Sequence, residues 1–267
     1  MIGSISKYVV NIFKNRKILL ILAKKDLLDE SSGYIIGVFW KFLLPVIYVS
    51  AIVFIFSLGI RPLQDTGIEF TVYLAIGVCC WLMISDNLQQ MVVAIKKNAY
   101  LAKSIDFNIS YLPLIKFISN LPVQIFLVFC VIAYAAFSGY APGWHTLSLL
   151  YYLFAAAVML TTIGVFTATV FIFMKDIQKI VVIVVQLGFW LTPIIWHVDM
   201  LPDAWQFFVE YNPAYYIIAG YRESITNVGI FDDSNKMHVI FWCVQIALLF
   251  ITTIAYKRLR SHVAEVL

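Results

Sequence analysis

From residue 39 to residue 59 the chain runs through FWKFLLPVIYVSAIVFIFSLG with a single charge, Lys41. A stretch like this constrains folding more than any other feature of the sequence. In lipid, about 20 apolar residues cross the hydrocarbon as one helix. Five more apolar segments follow, at 71–93, 112–137, 147–174, 180–196 and 239–256. Inside a bilayer only helices and closed barrels satisfy the backbone. These runs are continuous rather than alternating, which selects helices over a barrel. Composition agrees: 62% of residues are hydrophobic and 13% charged. Soluble domains carry about 45–50% apolar and about 25% charged residues. The expected fold is therefore an all-α integral membrane protein, with residues 1–267 forming one transmembrane domain.

Two regions flank the six expected spans. Residues 5–28 read as an amphipathic helix, with Ile5, Tyr8, Val9, Ile12 and Phe13 at helical spacing. Lys7, Lys14, Lys17, Lys24 and Lys25 gather on one side of the wheel. Such a helix lies in the membrane interface, or alternatively packs on a partner as a solvated helix. Its apolar core, 18–23, is too short for a signal peptide, and no small-residue cleavage site follows. Between spans five and six, the aromatic fragment 205–221 is interrupted by Pro213. It reads as interfacial or re-entrant helices.

Sixteen of the 19 Lys and Arg residues fall on one expected side of the spans. Only Arg61, Arg222 and Lys236 fall on the other. The excess of basic residues marks the cytoplasmic side, so both termini are expected there, in a multi-pass protein.

The sequence holds no phosphate-binding G-x-x-x-x-G-K-[ST] loop, no H-E-x-x-H and no G-x-S-x-G. An enzyme is not expected. His145, His197, His238 and His262 are scattered at span edges, and the four cysteines (Cys79, Cys80, Cys130, Cys243) lie in apolar runs without metal spacing. Neither a metal site nor a nucleic-acid partner is expected. Ion-coupled carriers place ionisable residues inside the membrane. Here Asp86 and Lys116 lie near span ends, where snorkelling accommodates them. No internal repeat relates the two halves.

The sequence is rich in aromatics, with 21 Phe, 15 Tyr and 7 Trp. An interfacial belt explains many of them. Phe39, Trp40, Phe42, Tyr48, Phe189, Trp190 and Trp196, however, crowd the ends of spans one and five. Pyranose C–H faces pack on aromatic faces without a fixed hydrogen-bond register, so a path lined by Phe39, Trp40, Tyr48, Phe189, Trp190 and Trp196 suits a sliding glycan.

Four stretches carry a resemblance. They are Ile36-Gly37-Val38-Phe39-Trp40-Lys41-Phe42-Leu43-Leu44-Pro45, Phe173-Met174-Lys175-Asp176, Leu191-Thr192-Pro193-Ile194-Ile195-Trp196, and Asn212-Pro213 followed by Tyr221-Arg222. In this order they resemble the permease subunit of ABC-2 type polysaccharide exporters, the family that exports O-antigen, capsule and teichoic acid. The likeness runs over nearly the whole chain. Asp29-Glu30 departs from it, because the family usually places basic residues just before span one.

The resemblance implies a homodimer with spans one and five lining the path. It also implies two copies of a separate nucleotide-binding ATPase that uses ATP and Mg, and a lipid-linked glycan as cargo. Lys96, Lys97 and Lys103 within 94–106, with Lys175 and Asp176, would couple to that ATPase. Asn212, Pro213, Tyr221 and Arg222 would form an external gate, and Lys24 and Lys25 would attract the lipid head group. The expected location is the bacterial inner membrane, in contact with its lipids. Alternatives are an ABC-2 permease for a drug or small lipid, a self-contained channel or carrier, and a membrane scaffold or lipid-acting enzyme.

Overall fold

The computed structural model describes residues 10–29, 37–59, 67–102, 108–230 and 234–266. Residues 10–14 are helical, and a turn at Asn15 leads into α1, Arg16–Asp29. The rest of the expected 5–28 helix, with Lys7, lies outside the described residues. Gly37, at φ 54°, turns the chain into α2, Phe39–Gly59. Then come α3, Phe70–Val92, and two short turns of helix, α4 (Ala94–Lys97) and α5 (Ala99–Ala102). The helices α6 (Tyr111–Phe137) and α7 (Ser148–Phe173) follow. The rest of the chain forms α8 (Asp176–Leu191), α9 (Asp203–Glu210), α10 (Pro213–Thr226) and α11 (Ser234–Val266).

Among the described residues, five helical segments are long and apolar enough to cross a membrane: Phe39–Leu58, Phe70–Val92, Tyr111–Phe137, Trp144–Phe173 and Lys236–Arg260. The first four match the expected spans to within a few residues. The fifth expected span, 180–196, is not continuous helix. Its helix starts earlier, at Asp176, and stops at Leu191. Thr192 is extended, at φ −91° and ψ 139°. The cause is Pro193, which disfavours helical geometry in the residue before it and has no N–H of its own.

The hub is α3. It packs against α2, α6, α7, α8 and α10, and 78% of its apolar window is buried, against 6% for α2. Lipid tails are as apolar as leucine, so close van der Waals packing and small residues hold such helices together. At Gly164 on α7, a Cβ would stand 2.5 Å from Met91 Sδ of α3. Glycine therefore sets how closely these two helices approach. Four hydroxyls of α7 are satisfied locally: Thr161, Thr162, Thr167 and Thr169 donate to carbonyls four residues back. Gln245 of α11 donates to Thr162 Oγ1 at 3.0 Å.

The lysine-rich end of the bundle is closed by α1. Leu19 and Ala23 are buried in a cluster with Ala94, Ile95, Ile109, Leu112, Ile115 and Ile172. Lys116 does not snorkel as its position near a span end implied. It is buried and paired with Asp26 of α1 at 2.8 Å, with side chains 6% and 16% exposed. A lysine this far from solvent needs a counter-charge, and α1 brings one.

Candidate functional site

The residues expected at the external gate meet around the broken end of α8. Asn212 caps α10, accepting from the Ala214 N–H at 2.9 Å, with Pro213 in the first turn. Its amide Nδ2 also donates to Thr192 Oγ1 at 3.0 Å. Arg222 is fully buried. Its Nη1 donates to the Pro193 carbonyl at 2.8 Å, Nη2 to Ile194 at 3.0 Å, and Nε to Tyr73 at 3.3 Å. The guanidinium also lies 3.3 Å from the Tyr73 ring centroid. Tyr73 completes the clasp, its hydroxyl donating to the Trp196 carbonyl at 3.0 Å.

These contacts answer the question that Pro193 raises. Where a helix ends in an apolar setting, its carbonyls need donors. A planar five-donor guanidinium meets several at once, and its charge strengthens each bond. Tyr221, one residue earlier, is buried against α3, its hydroxyl 3.5 Å from Met83 Sδ.

The expected aromatic path divides between two helices. Phe39, Trp40 and Tyr48 are exposed on α2, and Trp190 is 65% exposed on α8. Both helices lean on α3 without packing substantially on each other. Phe189 is half-buried and meets Trp81 of α3 edge-on, ring centroids 6.3 Å apart. Trp196 is half-buried too, its indole N–H donating to the Trp190 carbonyl at 2.9 Å. Within one chain, Phe39, Trp40, Tyr48 and Trp190 form exposed faces rather than a closed channel.

The expected coupling residues gather at the lysine-rich end. Ala94 and Ile95 bury one side of α4, leaving Lys96 and Lys97 exposed. Lys96 Nζ sits 5.7 Å from the centroid of Phe171, near the end of α7. The turn that follows α7 carries Lys175 and Asp176, both exposed. Lys103 lies outside the described residues. On α1, Lys24 and Lys25 are exposed, and Lys25 Nζ is 5.8 Å from the Tyr100 ring centroid.

Two clusters had no sequence signal. One is aromatic, joining α7, α10 and α11. Tyr151 and Tyr216 hydroxyls are 2.9 Å apart, Trp242 donates to Tyr151 at 2.8 Å, and Tyr216 stacks on Phe241 at 4.3 Å. The other is a chain of amides between α3 and α6. Asn120 donates to Asn87 at 3.2 Å and to Gln90 at 3.0 Å. Uncharged amides escape a search for intramembrane charge, and their partners lie 33 and 30 residues away.

Comparison with known proteins fits this arrangement. Residues 18–226 match the family model of the ABC-2 type transporter. An O-antigen export system permease protein RfbA of Klebsiella pneumoniae is 24% identical over 259 residues, covering 94% of this chain and 95% of the relative. A protein of the same name from Myxococcus xanthus is 20% identical over 261 residues, covering 97% and 98%. With a match across well over half of its length, the chain belongs to the ABC-2 type transporter family.

Proposed function

We propose that this chain is the permease of an ATP-driven exporter that carries a lipid-linked, O-antigen-like polysaccharide across the bacterial inner membrane. One observation carries the reading. The similarity to O-antigen export permeases extends end to end, over 94% of this chain, so it reflects a shared architecture rather than one motif. The chain supplies the path. ATP and Mg are used by a separate ATPase, present in two copies.

On this reading the chain crosses the membrane six times, with both termini in the cytoplasm. At 1.5 Å per residue, the 16 residues of α8 rise about 24 Å, less than the roughly 30 Å hydrocarbon core. The bent, non-helical stretch 192–196 carries the chain the rest of the way. Non-helical backbone at that depth is tolerated where protein covers it, and Arg222, Tyr73 and Asn212 cover it here. Helices α9 and α10 then form a re-entrant hairpin closing the outer end of the path. The interfacial α1, with Lys24 and Lys25, receives the anionic head group.

The exposed faces of α2 and α8 support a homodimer. A second copy facing them would place Phe39, Trp40, Tyr48 and Trp190 from both chains around one path. Lys96, Lys97, Lys103, Lys175 and Asp176 would meet the ATPase below.

The test is affinity purification from gently solubilised membranes, followed by an ATPase assay on what co-purifies. The expected result is a stoichiometric partner with a phosphate-binding loop and ATPase activity. A partnerless chain that moves solute unaided would overturn the reading in favour of a channel or carrier.

A further inference from the structure

Between α2, α3 and α6 lies an open-sided cavity of about 210 Å³, lined by Lys41, Asp86, Gln90, Asn120, Gln124 and Tyr221, with apolar neighbours. A single water needs about 10–15 Å³ of such space, so this is far more than a buried-water site. Gln124 lies midway along α6 and is 8% exposed. Its carbonyl Oε1 is buried and accepts no hydrogen bond. One turn earlier, Asn120 sits in the amide chain with Asn87 and Gln90. The amides of Asn87, Gln90 and Asn120 are organised, whereas Gln124 Oε1, like Ser119 Oγ on the same helix, is left without a partner. Buried polar atoms are almost always paired, and an exception asks for an explanation.

We propose that the cavity is a docking subsite for one pyranose unit of a glycolipid, with the Gln124 amide in its wall turning to meet a sugar hydroxyl. The lining selects this class. One cation, Lys41, and one carboxylate, Asp86, favour neither an anion nor a cation alone. A sugar hydroxyl both donates and accepts, so it satisfies the carboxylate, the amides and the ammonium together. The ring and aliphatic neighbours give the C–H face an apolar surface. The lining of the subsite includes none of Phe39, Trp40, Tyr48, Phe189, Trp190 and Trp196, and the subsite rests on the glycan-export reading.

The test uses the permease with its ATPase in lipid nanodiscs and two photoreactive probes, an alkyl glucoside with a diazirine on the sugar and the matched diazirine alkanol. The glucoside is expected to label residues 79–90 and 120–128, with at least tenfold loss of labelling under excess unlabelled alkyl glucoside. Gln124→Met is expected to abolish that competed labelling, slow glycan export and raise the thermal midpoint, because it removes an unpaired amide from a cavity wall. Asp86→Asn, which keeps the side-chain shape, should weaken the labelling several-fold. Equal labelling by the alkanol would mean a lipid-filled cavity and overturn the subsite. So would a Gln124→Met protein that labels normally or melts lower, the mark of a purely structural amide. Wild-type complex that exports glycan without competed labelling overturns the subsite and leaves the exporter reading standing. Wild-type complex that exports no glycan overturns the exporter reading itself.

Discussion

Replacing Arg222 tests whether the break in α8 depends on one buried side chain. In Arg222→Met the side chain keeps much of its volume but loses every donor. The Pro193 and Ile194 carbonyls lose bonds of 2.8 and 3.0 Å. Each buried carbonyl left unpaired costs about 1–3 kcal/mol. The Tyr73 carbonyl lies within α3 and has a helical donor, so it adds little. The stack on Tyr73 is lost as well, worth roughly 2 kcal/mol when desolvated. Against this, the substitution removes a buried charge whose desolvation opposes folding by several kcal/mol. The net expected loss is on the order of 3 kcal/mol, set by the Ile194 carbonyl, left unpaired, and the Pro193 carbonyl, left with only a 3.4 Å bond from the Tyr73 hydroxyl. By the scaling of a 150–250-residue domain, this lowers the melting midpoint by roughly 6–12 °C. The assay is loss of the monodisperse species after heating in detergent. Arg222→Lys should fall between, because a point charge cannot span three carbonyls. A wild-type midpoint in Arg222→Met would refute the clasp.

Three further outcomes are expected. Lys116→Met leaves Asp26 without its 2.8 Å partner and should cost about 3 kcal/mol, at the low end for a broken buried pair because Asp26 is partly exposed; an Asp26→Leu/Lys116→Met double variant should recover much of the lost midpoint. Trp190→Ala removes an exposed ring and should reduce glycan export severalfold at unchanged expression and midpoint; normal export would take Trp190 off the path. Charge reversal at Lys96 and Lys97, both exposed, should lower ATP hydrolysis by the assembled complex with little effect on folding; unchanged hydrolysis and transport would remove α4 from the coupling surface.

The spans were legible because lipid demands long apolar runs, and α2, α3, α6 and α7 end within a few residues of where those runs stop. The sequence misplaced the fifth segment because hydropathy continues through Leu191-Thr192-Pro193-Ile194, whereas the helix cannot. That a proline such as Pro193 ends or kinks a helix can be read from sequence alone. Its compensation cannot, because Arg222 reaches carbonyls 28, 29 and 149 residues away. Charge counting placed Arg222 outside the spans, and only the fold shows it buried. The Asp26–Lys116 pair was hidden similarly, its members 90 residues apart. Exposed aromatics on α2 and α8 could be named from sequence, but which faces of the helices stayed uncovered had to come from packing on α3.

The most direct test of the account is transport itself. The permease and its ATPase are reconstituted in vesicles loaded on one side with a lipid-linked glycan, and the glycan reaching the other side is scored with an impermeant lectin. The account predicts accumulation that requires ATP and Mg, needs both subunits and fails when the ATPase cannot hydrolyse. Glycan movement by the permease alone, or ATP-driven export of a drug or small lipid with none of glycan, would contradict it.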